Sequence, residues 1–154
     1  MSELLTYEEV LARHGHLAYT NKGVSMLPLL RQGKDVMLID RKSPGPCRRL
    51  DAVLFRRPLP SGSVQYVMHR ILRINSDGTY WIVGDNCVTG DTVKEEQILG
   101  ILTGVVRNGR TILVTDWKYR IYVNTWCRFF RIRIAILRAG RLFGRFLRKL
   151  GRCR

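Results

Sequence analysis

No run of about 18 uncharged apolar residues occurs in the 154-residue chain, so no segment is expected to span a bilayer as a helix. The nearest attempt, IYVNTWCRFFRIRIAIL, is interrupted by Arg128, Arg131 and Arg133. The four cysteines, Cys47, Cys87, Cys127 and Cys153, are far apart and form no CxxC pair, which leaves a zinc ribbon or a thioredoxin-like motif unsupported. The opening MSELLTYEEVLARHGH has no basic start followed by an apolar core, so it does not read as a secretory signal. Together these absences favour the cytoplasm and reduced thiols. Acidic residues stop at Asp116: from Lys118 to Arg154 there are 12 Lys or Arg and no Asp or Glu. The net charge of +15 is therefore carried by the tail, because residues 1–117 hold 15 basic against 12 acidic side chains. Histidine is scarce too, with only His14, His16 and His69.

What is present fits one domain, residues 1–116, with a basic helical tail over 117–154. That length buries a core without staples. Residues 6–14, TYEEVLARH, predict a short helix with Thr6 as cap, Glu9 completing a capping box and Gly15 ending it. The stretches 35–40, 52–57, 64–74, 79–84, 97–106 and 111–116 are rich in β-branched and aromatic residues and predict strands. KSPGP, PLPSGS, NSDG and RNG separate them, with Asp77-Gly78 and Asn108-Gly109 as hairpin turns. The expected fold class is mainly β, with a short N-terminal helix and a C-terminal basic amphipathic helix.

That tail helix is expected over residues 128–152. At 100° per residue, Ile132, Ile136, Ala139, Leu142, Phe143, Phe146, Leu147 and Leu150 fall on one side. Arg131, Arg138, Arg141, Arg145, Arg148 and Arg152 fall on the other, Ile134 breaks the pattern, and Gly140, Gly144 and Gly151 weaken the helix.

Chemistry concentrates at three places. Gly23, Ser25, Met26 and Pro28 crowd into GVSMLP, just before a predicted strand. A serine there is either a turn residue or a nucleophile, and a nucleophilic serine needs a base. His14 and His16 form an HxH in a turn region with no third ligand suggested nearby, so two exposed histidines are the better reading. His69 lies inside the predicted strand VQYVMHRILRI; taken alone it reads as a core histidine. GDNCVTGD, residues 84–91, brings Asp85, Asn86 and Asp91 into a tight loop after a strand. One of its carboxylates could orient an imidazole, as in a Ser-His-Asp site.

In that order and spacing, GVSMLP, YVMHRILRI and GDNCVTGD resemble the nucleophile, base and acidic boxes of type I signal peptidases over about residues 18–106. DAVLFRRP and QILGIL resemble two further strands of that family. Histidine at position 69, where the bacterial housekeeping enzymes have lysine, places the resemblance with the endoplasmic-reticulum-type branch. The resemblance implies a signal-peptidase-like β catalytic domain. Ser25 would be nucleophile, His69 general base, Asp91 the catalytic acidic residue beside it and Asp85 a loop-shaping support. No metal or organic cofactor is required. Four departures stand out. Gly23 replaces a serine whose hydroxyl helps bind the oxyanion in many relatives. RQGKDV carries one extra residue, Leu50 replaces a glycine before Asp51, and no N-terminal membrane anchor is seen. A leader or precursor peptide is the expected substrate. A catalytically weak peptide-binding module is the alternative. For residues 128–152 an anionic membrane surface or a partner protein is preferred over docking on the chain's own domain. Nucleic acid ranks last, because no DNA-binding motif accompanies the charge.

Overall fold

The computed structural model of the chain describes residues 5–20 and 22–150, with side chains through residue 143. The expected tail residues Gly144, Arg145, Phe146, Leu147, Arg148 and Leu150 fall outside the described side chains, and Gly151 and Arg152 outside the described residues.

Helix α1 (Tyr7–His14) opens with a reciprocal capping box: Glu9 N–H donates to Thr6 Oγ1 at 3.2 Å, and Thr6 N–H donates to Glu9 Oε2 at 2.7 Å. Eight antiparallel strands follow: β1 (His16–Thr20), β2 (Val36–Arg41), β3 (Ala52–Pro58), β4 (Val64–Ile74), β5 (Tyr80–Val83), β6 (Gly90–Val93), β7 (Ile98–Arg107) and β8 (Arg110–Leu113). Their order is β1-β2-β7-β3-β4-β5-β6, with β8 also on β7. The mainly β class is as expected. Hairpins turn at the two places the sequence marks. Asn108 and Gly109, at φ 50° and 74°, supply the two positive dihedrals of the β7–β8 turn. Two strands depart from the sequence reading. His16 opens β1 instead of sitting in a turn, and Asp91 lies in β6 instead of a tight loop. The last predicted strand also stops early, at Leu113.

Strand β3 is buried on both faces, so its side chains divide between two cores. Ala52 and Leu54 join Met26, Leu30, Met37, Met68 and Leu102; Val53 and Phe55 join Ile71, Ile82 and Val93. The serine-bearing segment between β1 and β2 is fixed at both ends. Met26 and Leu30 plug it into the first core. Buried Asp35 accepts the Arg31 N–H at 2.8 Å and Arg107 NH2 at 2.6 Å, and Arg107 also donates to the Leu29 carbonyl at 2.7 Å.

Leu50, just before Asp51, adopts φ 77°. That left-handed backbone costs an L-residue about 1–2 kcal/mol. Leu50→Gly is therefore expected to raise stability by about 1 kcal/mol in urea unfolding, since glycine's own backbone entropy offsets part of the relief. A loss of that size would mean that the half-buried leucine side chain holds more than the strained backbone costs.

The tail forms α2 (Trp117–Tyr122), a π-helical turn (Val123–Cys127) and α3 (Phe130–Leu150). It packs on the sheet domain through an unexpected edge. Phe130 meets Trp81 edge-on at 5.5 Å, Arg133 is buried, and Ile134 and Leu137 are half-buried. Ile134, the residue that broke the predicted pattern, thus belongs to the docked edge. The predicted apolar face, Ile132, Ile136, Leu142 and Phe143, is exposed. Among the described residues no helix is long and apolar enough to cross a membrane.

Candidate active site

Successive strand residues point to opposite faces, and β4 uses this to serve two purposes. His69 is 6 % exposed and lines a cavity of about 640 Å³ together with Gly23, Ser25 and Asp91. Its neighbour Arg70 turns the other way, into the protein. Gly84, after β5, is where the pieces meet. A β-carbon there would sit 3.0 Å from His69 Nε2 and 2.6 Å from the Ser25 carbonyl oxygen, so only glycine admits this approach. Asn86 then ties the two loops together: its N–H donates to the Ser25 carbonyl at 2.7 Å, and its Nδ2 donates to the Val24 carbonyl at 3.2 Å. Serine turn, strand histidine and GDN turn, far apart in sequence, form one wall.

The sequence offers two carboxylates, and the fold separates them. Asp91, paired with Ile82 across the β5–β6 ladder, faces the cavity. Its Oδ2 lies 3.8 Å from His69 Nδ1, beyond hydrogen-bond range, and Nδ1 has no hydrogen-bond partner. The same carboxylate oxygen is held by Arg57 NH2, while Arg57 NH1 donates to Gln65 Oε1 at 3.2 Å. Burial pushes the His69 imidazole down to about 4, and the Arg57 charge pushes the same way; Asp91 and Asp85 oppose them. At neutral pH the ring is uncharged and carries a lone pair able to accept a hydroxyl proton.

Asp85 is fully buried and works as a hub. It accepts from Arg70 at 2.8 and 2.9 Å, from Tyr122 at 2.8 Å and from Arg133 at 3.3 Å. Its carboxyl stays below the usual carboxylate range although burial alone would raise it, because Arg70, the Tyr122 hydroxyl and Arg133 stabilise the anion. The tail reaches the backbone of the same turn: Trp126 Nε1 donates to the Asp85 carbonyl at 3.2 Å, and Arg141 NH2 to the Asn86 carbonyl at 2.8 Å. Arg70, Arg133 and Tyr122 are not among the site residues expected from the sequence. For Arg70 a signal exists, since the residue after an inward His69 must point into the opposite, also buried, face. Arg57 had none, as its pairing depends on the register of β6.

Gly23 has open space where a β-carbon would project, so room does not exclude the hydroxyl found in relatives of the resembled family. Met26 serves the core and not the cavity. His14 and His16 are exposed, and among the described residues no three His, Cys, Asp or Glu side chains gather as a metal site would need. Comparison with protein-family models, curated proteins and solved structures finds no match to this chain.

Proposed function

We propose that the chain is a serine endopeptidase of signal-peptidase type that cleaves a leader or precursor peptide. The observation that carries this reading is the convergence at Gly84 of the Ser25 turn and the His69 imidazole, in a cavity open to a peptide. In the proposed reaction Ser25 Oγ attacks the scissile carbonyl and passes its proton to His69. The imidazolium then returns that proton to the leaving amine. Asp91, one short movement from Nδ1, stabilises the charged ring. Backbone N–H groups of the serine turn are the donors available to the oxyanion. Strand β4 supports a peptide ligand. From Val64 to His69 it pairs only with β3, since β5 begins its pairing at Arg70. An extended substrate can add along that free edge. Met37, Leu54 and Met68 give the cavity an apolar floor suited to an uncharged side chain.

A second reading, a catalytically weak peptide-binding module, draws on the Arg57–Asp91 pair. With Asp91 held by Arg57, Nδ1 stays unpaired and the imidazolium less supported. The pH dependence of kcat/KM on a peptide selected from a library separates the two. The enzyme reading expects an acid limb near His69's value of about 4, well under the ordinary ~6.5. Arg57→Gln removes a nearby positive charge, which raises His69 and moves that limb to higher pH. An acid limb that Arg57→Gln leaves in place would mean that the titrating group does not feel the Arg57 charge, as His69 does.

A further inference from the structure

We propose that the outward face of the C-terminal helices docks on an anionic lipid bilayer. Phe129, Ile132, Ile136 and Phe143 are each more than half exposed, at 57, 60, 55 and 63 %. At 3.6 residues per turn they lie within a sector of roughly 60° and run for about 20 Å. On α2, Trp117 and Ile121 are exposed to a similar degree, at 67 and 54 %. Exposed apolar side chains in such a row are unusual on a protein that has no surface to cover with them.

The stripe is not the part of the tail that the sheet domain needs. Phe130, Arg133 and Arg141, with half-buried Ile134 and Leu137 between them, form the docked edge, whose centre lies roughly 120° round the helix from the stripe's centre. Beyond its other flank stands exposed Arg128, about 70° from the stripe's centre, with exposed Arg131 and Arg138 roughly 130–150° round on the polar face, and no acidic residue follows Asp116. This pairing of chemistries selects the occupant. A second copy of the chain would set arginine against arginine. A nucleic acid would satisfy the guanidinium groups and leave phenyl and isoleucyl side chains in water. The surface of a bilayer with anionic headgroups accepts both, with the apolar row at the acyl boundary and the long arginine side chains of the polar face reaching back toward the headgroups. This docking does not depend on Ser25 or His69.

The test is co-sedimentation of the full chain with phosphatidylglycerol-containing vesicles and with pure phosphatidylcholine vesicles, at low and high salt. The expected result is binding to the anionic vesicles only, weakened by salt. Ile132→Glu/Ile136→Glu should lower the binding by about tenfold or more, since it puts charge into the apolar row at positions that carry no packing. Arg128→Gln/Arg131→Gln/Arg138→Gln should weaken the preference for anionic lipid while leaving the docked edge intact. A wild-type chain that stays in the supernatant at low salt overturns the proposal. So does binding that the glutamate pair leaves unchanged. Concentration-dependent dimers in light scattering, lost on Ile132→Glu/Ile136→Glu without any vesicle binding, would assign the stripe to a second copy. The assay reads sedimentation and not cleavage, so its failure leaves the peptidase reading standing.

Discussion

Ser25→Ala and His69→Ala should each lower kcat on a cleaved peptide by about 10⁴-fold or more, and the double replacement should lower it no further. In the proposed reaction nucleophile and base act as one unit: without the attacking oxygen the base has no proton to take, and without the base the hydroxyl stays a weak nucleophile. Ser25 sits in a half-exposed turn held through its backbone carbonyl by Asn86, so the alanine variant keeps that contact and its fold. Single-turnover rates for the three variants check this. Losses that multiply in the double variant would mean that the two side chains act independently, and a wild-type rate in Ser25→Ala would remove it as nucleophile.

Asp85→Asn should destabilise the protein by about 3–5 kcal/mol and loosen the turn that holds Ser25. Arg70 and Arg133 are both buried against this one carboxylate, so the site already contains an excess positive charge. Asparagine preserves shape and removes the anion, leaving two guanidinium groups uncompensated. The sign of the pH dependence follows from the same pairing. Asp85 is held below its unfolded value of ~3.9, so its contribution is complete above about pH 4 and is lost as pH falls further. His69, depressed to about 4 from an unfolded ~6.5, contributes stability that is full above ~6.5 and is lost as pH falls toward 4. Urea unfolding across this range should therefore show a steeper acid loss in the wild type than in Asp85→Asn below about pH 4. A difference under about 1 kcal/mol at neutral pH would mean that water reaches the two arginines in the native state.

Much of the β framework is legible in the sequence because its strands are long, β-branched and punctuated by turns, as in AVLFRR and VQYVMHRILRI. The capping box at Thr6 and Glu9 is purely local and equally plain. What escaped depends on partners distant in sequence. HLAYT is a short strand of mixed exposure, defined by its register with β2, Leu17 opposite Ile39. GDTV becomes β6 only because Ile82 lies opposite Asp91. The helical wheel ranked the tail's faces by apolarity, yet the docked edge is chosen by electrostatics and shape. Asp85 needs Arg133, and Trp81 offers its ring to Phe130. A buried carboxylate's demand for a second arginine leaves no periodic trace. At the candidate site, Ser25, His69 and the GDN turn stood out by residue type and order. The competition between Arg57 and His69 for Asp91 could not be read without the cavity.

Peptide cleavage by Ser25 is open to a direct test. The most direct measurement exposes a proteome-derived peptide library to the purified wild-type chain and to Ser25→Ala prepared in parallel, with new termini read by mass spectrometry. The expected result is a restricted set of cuts by the wild type that share a side-chain preference at the bond, and none of them with Ser25→Ala. No cut by either protein, or the same cuts by both, would contradict it.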